Sequence, residues 1–246
     1  QVTINDLFIA SDIALRTCSS ITTAGGLAGN IENEQSGSSI DSVEFSGAII
    51  HSPNGAPGNA IGGIAGTLAG GPSADTVLSN LNISGSYALS GTSNDIDFYG
   101  GVAGLVLGNY SVGKSVLRPT FSPPSGSVRI CDLGYNFNDY SAATVPDSVV
   151  SASDVFVLDG SSQVKTPDNQ TGCVTDGTEI NTTQLQDNST FSAFSILTDA
   201  SNVSYPTDTS QKWVMETDDA ATYGSEPTLM FAAAMGAKDS ADVHHA

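Results

Sequence analysis

The side chains able to do chemistry in this chain are few and far apart. Three histidines occur: His51 in a Pro/Gly-rich stretch, and the adjacent pair His244 and His245 beside Asp239 and Asp242. The pair has metal-ligand chemistry, but a solvated tail is the simpler reading. No Ser-His-Asp or Cys-His spacing stands out, and neither Gly-x-Ser-x-Gly nor His-Glu-x-x-His is present. Twenty of the 26 acidic residues are Asp, which leaves Ca²⁺ binding open. The aspartates from Asp132 through Asp159 could furnish the paired carboxylates of a polysaccharide hydrolase or lyase, with Lys114, Arg118 and Arg129 the nearby cations. No set combines nucleophile, base and orienting partner, so the residues assign no catalytic site, no cofactor and no enzyme.

Cysteine and asparagine offer covalent chemistry of another kind. Cys18, Cys131 and Cys173 allow one internal disulfide and one thiol left over. Six Asn-x-Ser/Thr sequons stand at Asn82, Asn109, Asn169, Asn181, Asn188 and Asn202, candidate glycan acceptors on a secreted surface. Asn82 lies between Leu81 and Ile83, so strand alternation is expected to turn it outward.

The elements that must position these residues announce themselves by repetition. Gly25-Gly-Leu-Ala-Gly29, Gly62-Gly-Ile-Ala-Gly66 and Gly100-Gly-Val-Ala-Gly104 begin 37 and 38 residues apart. Ile40, Leu78 and Val116 are spaced by 38, as are Val43, Leu81 and Pro119, and Phe45, Ile83 and Phe121. Ile4, Leu7, Ile9 and Leu15 repeat the spacing of Leu78, Leu81, Ile83 and Leu89. A fixed period of this size means stacked supersecondary units, each covering its neighbour's apolar face.

Between the glycine phrases the pattern has period two, as in Val43-Glu-Phe45-Ser and Leu81-Asn-Ile83-Ser, which is strand alternation with one buried face. Stretches such as Pro53-Asn-Gly-Ala-Pro-Gly58 and Gly70-Gly-Pro72 break it into loops. Helix signals are nearly absent, and three tandem copies without a following helix argue against a phosphate cradle. The expectation is all-β: a right-handed parallel β-solenoid of about four coils over residues 1–130, with glycines at the corners. Ile9, Phe45, Ile83 and Phe121 should form one buried file, and Phe8, Glu44, Asn82 and Thr120 the outward one. Residues 131–246 lose the glycine phrase and read as a mostly β and loop C-terminal cap over a strand edge, or a small second domain.

The same arithmetic bears on the cysteines. Cys18 lies 14 residues after Ile4 and Cys131 lies 15 after Val116, nearly equivalent places in the first and last coils. At about 4.8 Å per stacked strand they would be about 14 Å apart, beyond the roughly 7 Å reach of a disulfide, so Cys131–Cys173 is the favoured pair.

These residues resemble the GLUG-type repeats of microbial surface and adhesin-like proteins. The likeness lies in the Gly-Gly-hydrophobic-small-Gly phrases at 25, 62 and 100 and the strand-then-Gly units ending at Gly47 and Gly85. The stretch Thr178-Glu-Ile-Asn-Thr-Thr-Gln-Leu, then Phe191, Trp213 and Glu226-Pro-Thr-Leu229, is similar to the segment that closes such repeats. The resemblance implies an extracellular β-helical stalk or adhesive module with no catalytic residues to carry over.

Charge narrows the partners. With 7 basic against 26 acidic residues the formal net charge is -19, which argues against nucleic acid and anionic membrane surfaces as partners. No apolar run reaches the ~18 residues of a membrane span. The chain opens on Gln1, as it would after loss of a leader or trimming. A secreted, cell-surface location fits all of this. The functional expectation is a structural subunit of a filament or layer, partnered by copies of itself or by other surface proteins, possible glycans included. Phe8, outward on the first coil, and the apolar run Leu229-Met230-Phe231 through Met235 are the candidate assembly contacts. A monomeric adhesin or carbohydrate-binding module and a β-helix lyase or hydrolase are the alternatives.

Overall fold

The structure, a computed structural model, describes residues 3–10, 12–15, 23–33, 37–51, 59–70, 76–89, 92–122, 125–136, 150–159, 173–174, 177–198, 212–215 and 226–230. It is mostly strand. A first group comprises β1 (Thr3–Ile9), β2 (Ile13–Leu15), β3 (Thr23–Gly25) and β4 (Ala28–Asn33). A second comprises β5 (Ser38–Phe45), β6 (Ala48–His51), β7 (Ala60–Gly62) and β8 (Ala65–Gly70). The third is β9 (Thr76–Ile83), β10 (Ser86–Leu89), β11 (Thr92–Gly100) and β12 (Ala103–Leu107), and the fourth β13 (Tyr110–Leu117), β14 (Thr120–Ser122), β15 (Ser125–Cys131) and β16 (Gly134–Asn136). Then come β17 (Val150–Leu158), β18 (Cys173–Val174) and β19 (Thr178–Ile180), and finally β20 (Ile196–Leu197), β21 (Trp213–Val214) and β22 (Thr228–Leu229).

Each group adds one strand to each of four sheets. The first sheet runs β1-β5-β9-β13-β17-β19, the second β2-β6-β10-β14, the third β3-β7-β11-β15 and the fourth β4-β8-β12-β16-β18. Pairing within them is parallel except between β16 and β18. Val43, Phe45, Ile61, Ile64, Leu78, Leu81, Ile83, Tyr87 and Tyr99 fill the space the sheets enclose, all essentially without solvent exposure.

The glycine phrases make the corner between the third and fourth sheets. Gly26 N–H donates to Gly63 O at 3.0 Å, Gly63 N–H to Gly101 O at 3.2 Å, and Gly101 N–H to Asp132 O at 3.0 Å. A methyl at Gly63 would strike both the Gly101 carbonyl oxygen and the Ile83 side chain, so only glycine lets successive levels approach this closely. The ladder also exposes a fourth, disguised copy of the phrase at Cys131-Asp132-Leu133-Gly134, because Cys131 pairs with Gly100. Cys131 therefore stands where Gly25 stands in the first group, not where position 18 does.

The opposite device turns the first sheet. Asp6, Ser42, Asn80, Lys114 and Asp154 each have φ between 44° and 56°, one such residue in each of the first-sheet strands β1, β5, β9, β13 and β17. In β5 the left-handed residue Ser42 bends the strand and resets its alternation, so Ile40 and Val43, three apart, both point inward.

Register corrects the expected files. Ile9, Phe45 and Ile83 are neighbours across β1, β5 and β9, but the fourth member is Leu117, not Phe121. Phe121 instead stacks on Tyr87 in the second sheet, ring centroids 4.8 Å apart. The outward file runs Phe8, Glu44, Asn82, Val116, then Phe156, so Thr120 is not part of it. The reason is a shortened connection. Five residues, 71–75, separate β8 from β9, whereas only Gly108 and Asn109 separate β12 from β13. Gly108 absorbs the tighter turn with φ 99°.

Residue 130, the end of the expected repeats, lies within the strand β15, and stacking continues through β19. Described residues beyond β19 pack against the outer face of the first sheet. Leu185, Phe191, Phe194, Trp213, Met215 and Leu229 cluster there with Ile180 on Val116 and Phe156.

Phe45→Ala should cost about 3–5 kcal/mol of unfolding free energy in a urea titration, the range for truncating a buried aromatic. An equal loss for Phe8→Ala would contradict the inward and outward files.

Candidate functional site

The most elaborate polar constellation among the described residues lies on that outer face, under the strap formed by residues 212–215 and 226–230. Its components come from neighbouring strands, brought together by register, and from the strap. Asp41 lies next to the bend of β5, and Ser79 and Asn80 hold the equivalent place in β9. Ser79 Oγ and Asn80 Nδ2 each donate to Asp41 Oδ1 at 2.6 Å, and Ser42 Oγ donates to Oδ2 at 3.1 Å. From the strap, Lys212 Nζ lies 3.4 Å from both Asp6 and Asp41, and Trp213 Nε1 donates to Asn80 Oδ1 at 2.9 Å. Burial acts to raise the Asp41 pKa, but the hydrogen bonds from Ser79 and Asn80, the Lys212 charge and the Ser42 hydroxyl outweigh it. The carboxyl is held below its ordinary value.

Further along β5 and β9, and just past the end of β13, is a second cluster. Arg118 forms an ion pair with Glu226 and donates from Nη2 to Asn82 Oδ1 at 2.9 Å. Asn82 Nδ2 donates to the Pro227 carbonyl at 3.4 Å. Glu44 sits beside Asn82, and burial pushes its carboxyl above the ordinary value. A hydrogen bond from Asn82, the Arg118 charge and the Leu229 N–H offset only part of that penalty. Trp213 and Leu229 pair across β21 and β22, and Met230 N–H closes on Lys212 O at 2.9 Å, so the strap is itself a small ribbon. Chemically the assembly is a latch: charge and amide contacts clamp a ribbon over an apolar flank.

Of the sequons, Asn82 points outward from its strand as alternation requires, yet is only 1% exposed because the strap covers it. An accessible acceptor at this position is thereby corrected. Asn181 is exposed and caps the helix α1 (Thr182–Leu185), its Oδ1 accepting from Gln184 N–H at 2.9 Å. Asn188 is half-buried in a 3-10 turn, Asn109 is half-buried between β12 and β13, and Asn169 and Asn202 lie outside the described residues. Cys131 and Cys173 are joined in a disulfide, Cα atoms 5.3 Å apart, and Cys18 lies outside the described residues.

Phe8, on the edge strand β1, is 37% exposed. Leu229 and Met230 are buried, 0% and 7% exposed, against Trp213 and the outer face, so they are not available to insert into a neighbour. Phe231, His244 and His245 lie outside the described residues, as does the side chain of His51.

Among the described residues the aspartates considered for glycan cleavage do not converge, and Asp139 and Asp147 lie outside the described residues. Asp132 is buried at the glycine corner, while Asp154 and Asp159 are exposed at the first sheet. Arg118 is committed to Glu226 and Asn82. Among the described residues no three His, Cys, Asp or Glu side chains gather as a metal site. No protein-family model, no curated protein and no solved structure matches this chain.

Sequence reasoning missed the latch entirely. Its one available signal was the scarcity of cations: with seven Lys and Arg in the whole chain, Arg118 and Lys212 needed partners.

Two measurements test this geometry. Arg118→Ala leaves Glu226 and the buried Asn82 oxygen unpaired, so it should cost about 1–3 kcal/mol and shift Trp213 fluorescence to the red. Replacing both Cys131 and Cys173 by Ser should lower stability by about 2–4 kcal/mol in thermal unfolding, with no further loss on adding reductant.

Proposed function

We propose that this chain is an extracellular structural protein with no catalytic reaction of its own, a right-handed parallel β-solenoid of about four coils that joins end to end in a surface filament or layer. The observation that carries this reading is the open first coil. Each of β1, β2, β3 and β4 has a strand neighbour on one side only among the described residues. The strand β1 has no buried residue, whereas Ile40, Val43 and Phe45 of β5 are all buried. Between the two levels a cavity of about 410 Å³ opens, lined by Ile4, Leu27, Ala28, Ile31 and Ile40. This is the solenoid interior left unsealed, with strand edges that template further pairing.

A second copy is the natural cover. The far edges of the first three sheets, β19, β14 and β15, are parallel to the strands before them, so β1, β2 and β3 of a following copy would continue each ladder in the same direction. Such a head-to-tail contact does not close on itself and builds an open fibre. The net charge of -19 keeps lateral faces apart. Since Leu229 and Met230 are occupied within the chain, the contact is assigned to the coil ends and Phe8, not to the apolar run 229–235.

The Cys131–Cys173 disulfide supports an oxidising, extracellular compartment. Among the sequons, Asn181 suits a glycan best. Its cap bond uses Oδ1, so the amide nitrogen can carry sugar without unmaking the helix start. The kinship with GLUG-type surface repeats belongs to the same proposal.

Sedimentation velocity across a concentration series, with negative-stain imaging, tests the assembly. The intact chain should form species that lengthen with concentration, and Leu27→Asp, a charge at the mouth of the open coil, should remain monomeric. If the intact chain stays monomeric throughout, the adhesin-module reading replaces this one. If Leu27→Asp assembles equally well, the contact lies elsewhere.

A further inference from the structure

We infer that the strap is an acid-tightened cover, clamped over the first sheet by a latch in which Glu44 is the titrating group. Glu44 is the second member of the outward file, between Phe8 and Asn82, where the strap crosses and β22 contacts β5 and β9. Its Oε2 is shut off from solvent with no hydrogen-bond partner among the described residues. Arg118 Nε in the same cluster is likewise enclosed and unpartnered, its other nitrogens being taken by Glu226 and Asn82. A closed strap therefore holds a carboxylate oxygen away from water without giving it a donor, which opposes docking whenever Glu44 is ionised.

The charged groups around Glu44 set the sign. On the body of the protein these are Arg118, and further along the face Asp6 and Asp41; on the strap they are Glu226 and Lys212. Burial raises the Glu44 pKa when the strap is closed, so its contribution to closure is fully present below the open-state pKa. It is lost as pH rises through the closed-state value. Acidification from neutrality toward the ordinary carboxylate range thus favours the closed strap. Asp41 has the opposite sign: its pKa is lowered, so the Lys212 clamp persists through that window and fails only in stronger acid. Closure should peak at mildly acid pH and fall on both sides.

The strap also carries its own reporter, because Trp213 is the single tryptophan of the chain and its side chain is buried between the ribbon and the first sheet. Hydrogen exchange of peptides covering 212–215 and 226–230, corrected for intrinsic rates, should show protection rising as the pH falls from about 7 toward about 5. Protection of β9 should stay level over the same range. Quenching of Trp213 by acrylamide should fall in parallel. Glu44→Gln, an uncharged amide of the same shape, should show the acid level of protection at both pH values. Flat protection in the intact protein, or an undiminished pH response in Glu44→Gln, would overturn the proposal. The wild-type titration decides the matter even if the variant folds poorly. None of these readouts depends on filament formation, and running them at low concentration keeps the two questions separate.

Discussion

Everything in this molecule hangs on how closely one level of backbone can approach the next at the glycine corner. There the chain turns from the third sheet to the fourth and simultaneously passes hydrogen bonds from Gly26 to Gly63 to Gly101 to Asp132. A side chain at either central glycine would displace a neighbouring carbonyl, and with it the parallel registers on both sides of the corner. Parallel pairing is non-local by nature, each bond joining residues one whole repeat apart. A corner that tolerates no slack is what keeps four sheets in step.

The second corner solves the complementary problem with a different residue type. Where the first sheet bends, the chain places Asp6, Ser42, Asn80, Lys114 and Asp154 in the left-handed region, mostly small polar residues that adopt it at low cost. The same bend brings Asp41, Ser79 and Asn80 together on the outside and so prepares the polar half of the latch. The fold and the candidate site are not separate layers here. The strap docks where it does because stacked bends present a row of acceptors, and because Val116 and Phe156 leave an apolar strip beside them.

The sequence made some of this readable and hid the rest for definable reasons. Strand alternation and the three glycine phrases point directly to the stacked strands, and the pairing of Ile9, Phe45 and Ile83 comes from spacing alone. The fourth level was misread because hydrophobic matching at 38 residues, Ile83 to Phe121, is satisfied by an aromatic that serves another sheet. The true offset, from Asn82 to Val116, is 34 (116 − 82). Two connecting residues in place of five leave no compositional trace. The fourth corner was invisible because Cys131-Asp132-Leu133-Gly134 takes the place of the phrase with one residue fewer and almost none of its glycines.

What the sequence determined by itself is the repeating, periodic part: all-β character, the level-to-level repeat and an acidic surface, since these arise from local alternation, glycine placement and composition. What only the tertiary structure decided is whatever depends on contacts distant along the chain. Asn82 reads as an exposed outward residue until Pro227, 145 residues later, settles over it. Glu44 and Arg118 are ordinary surface charges until the same ribbon closes them off from water. Alternation says which side of a sheet a residue faces, but a face is only solvent if nothing else packs there, and no local pattern encodes that.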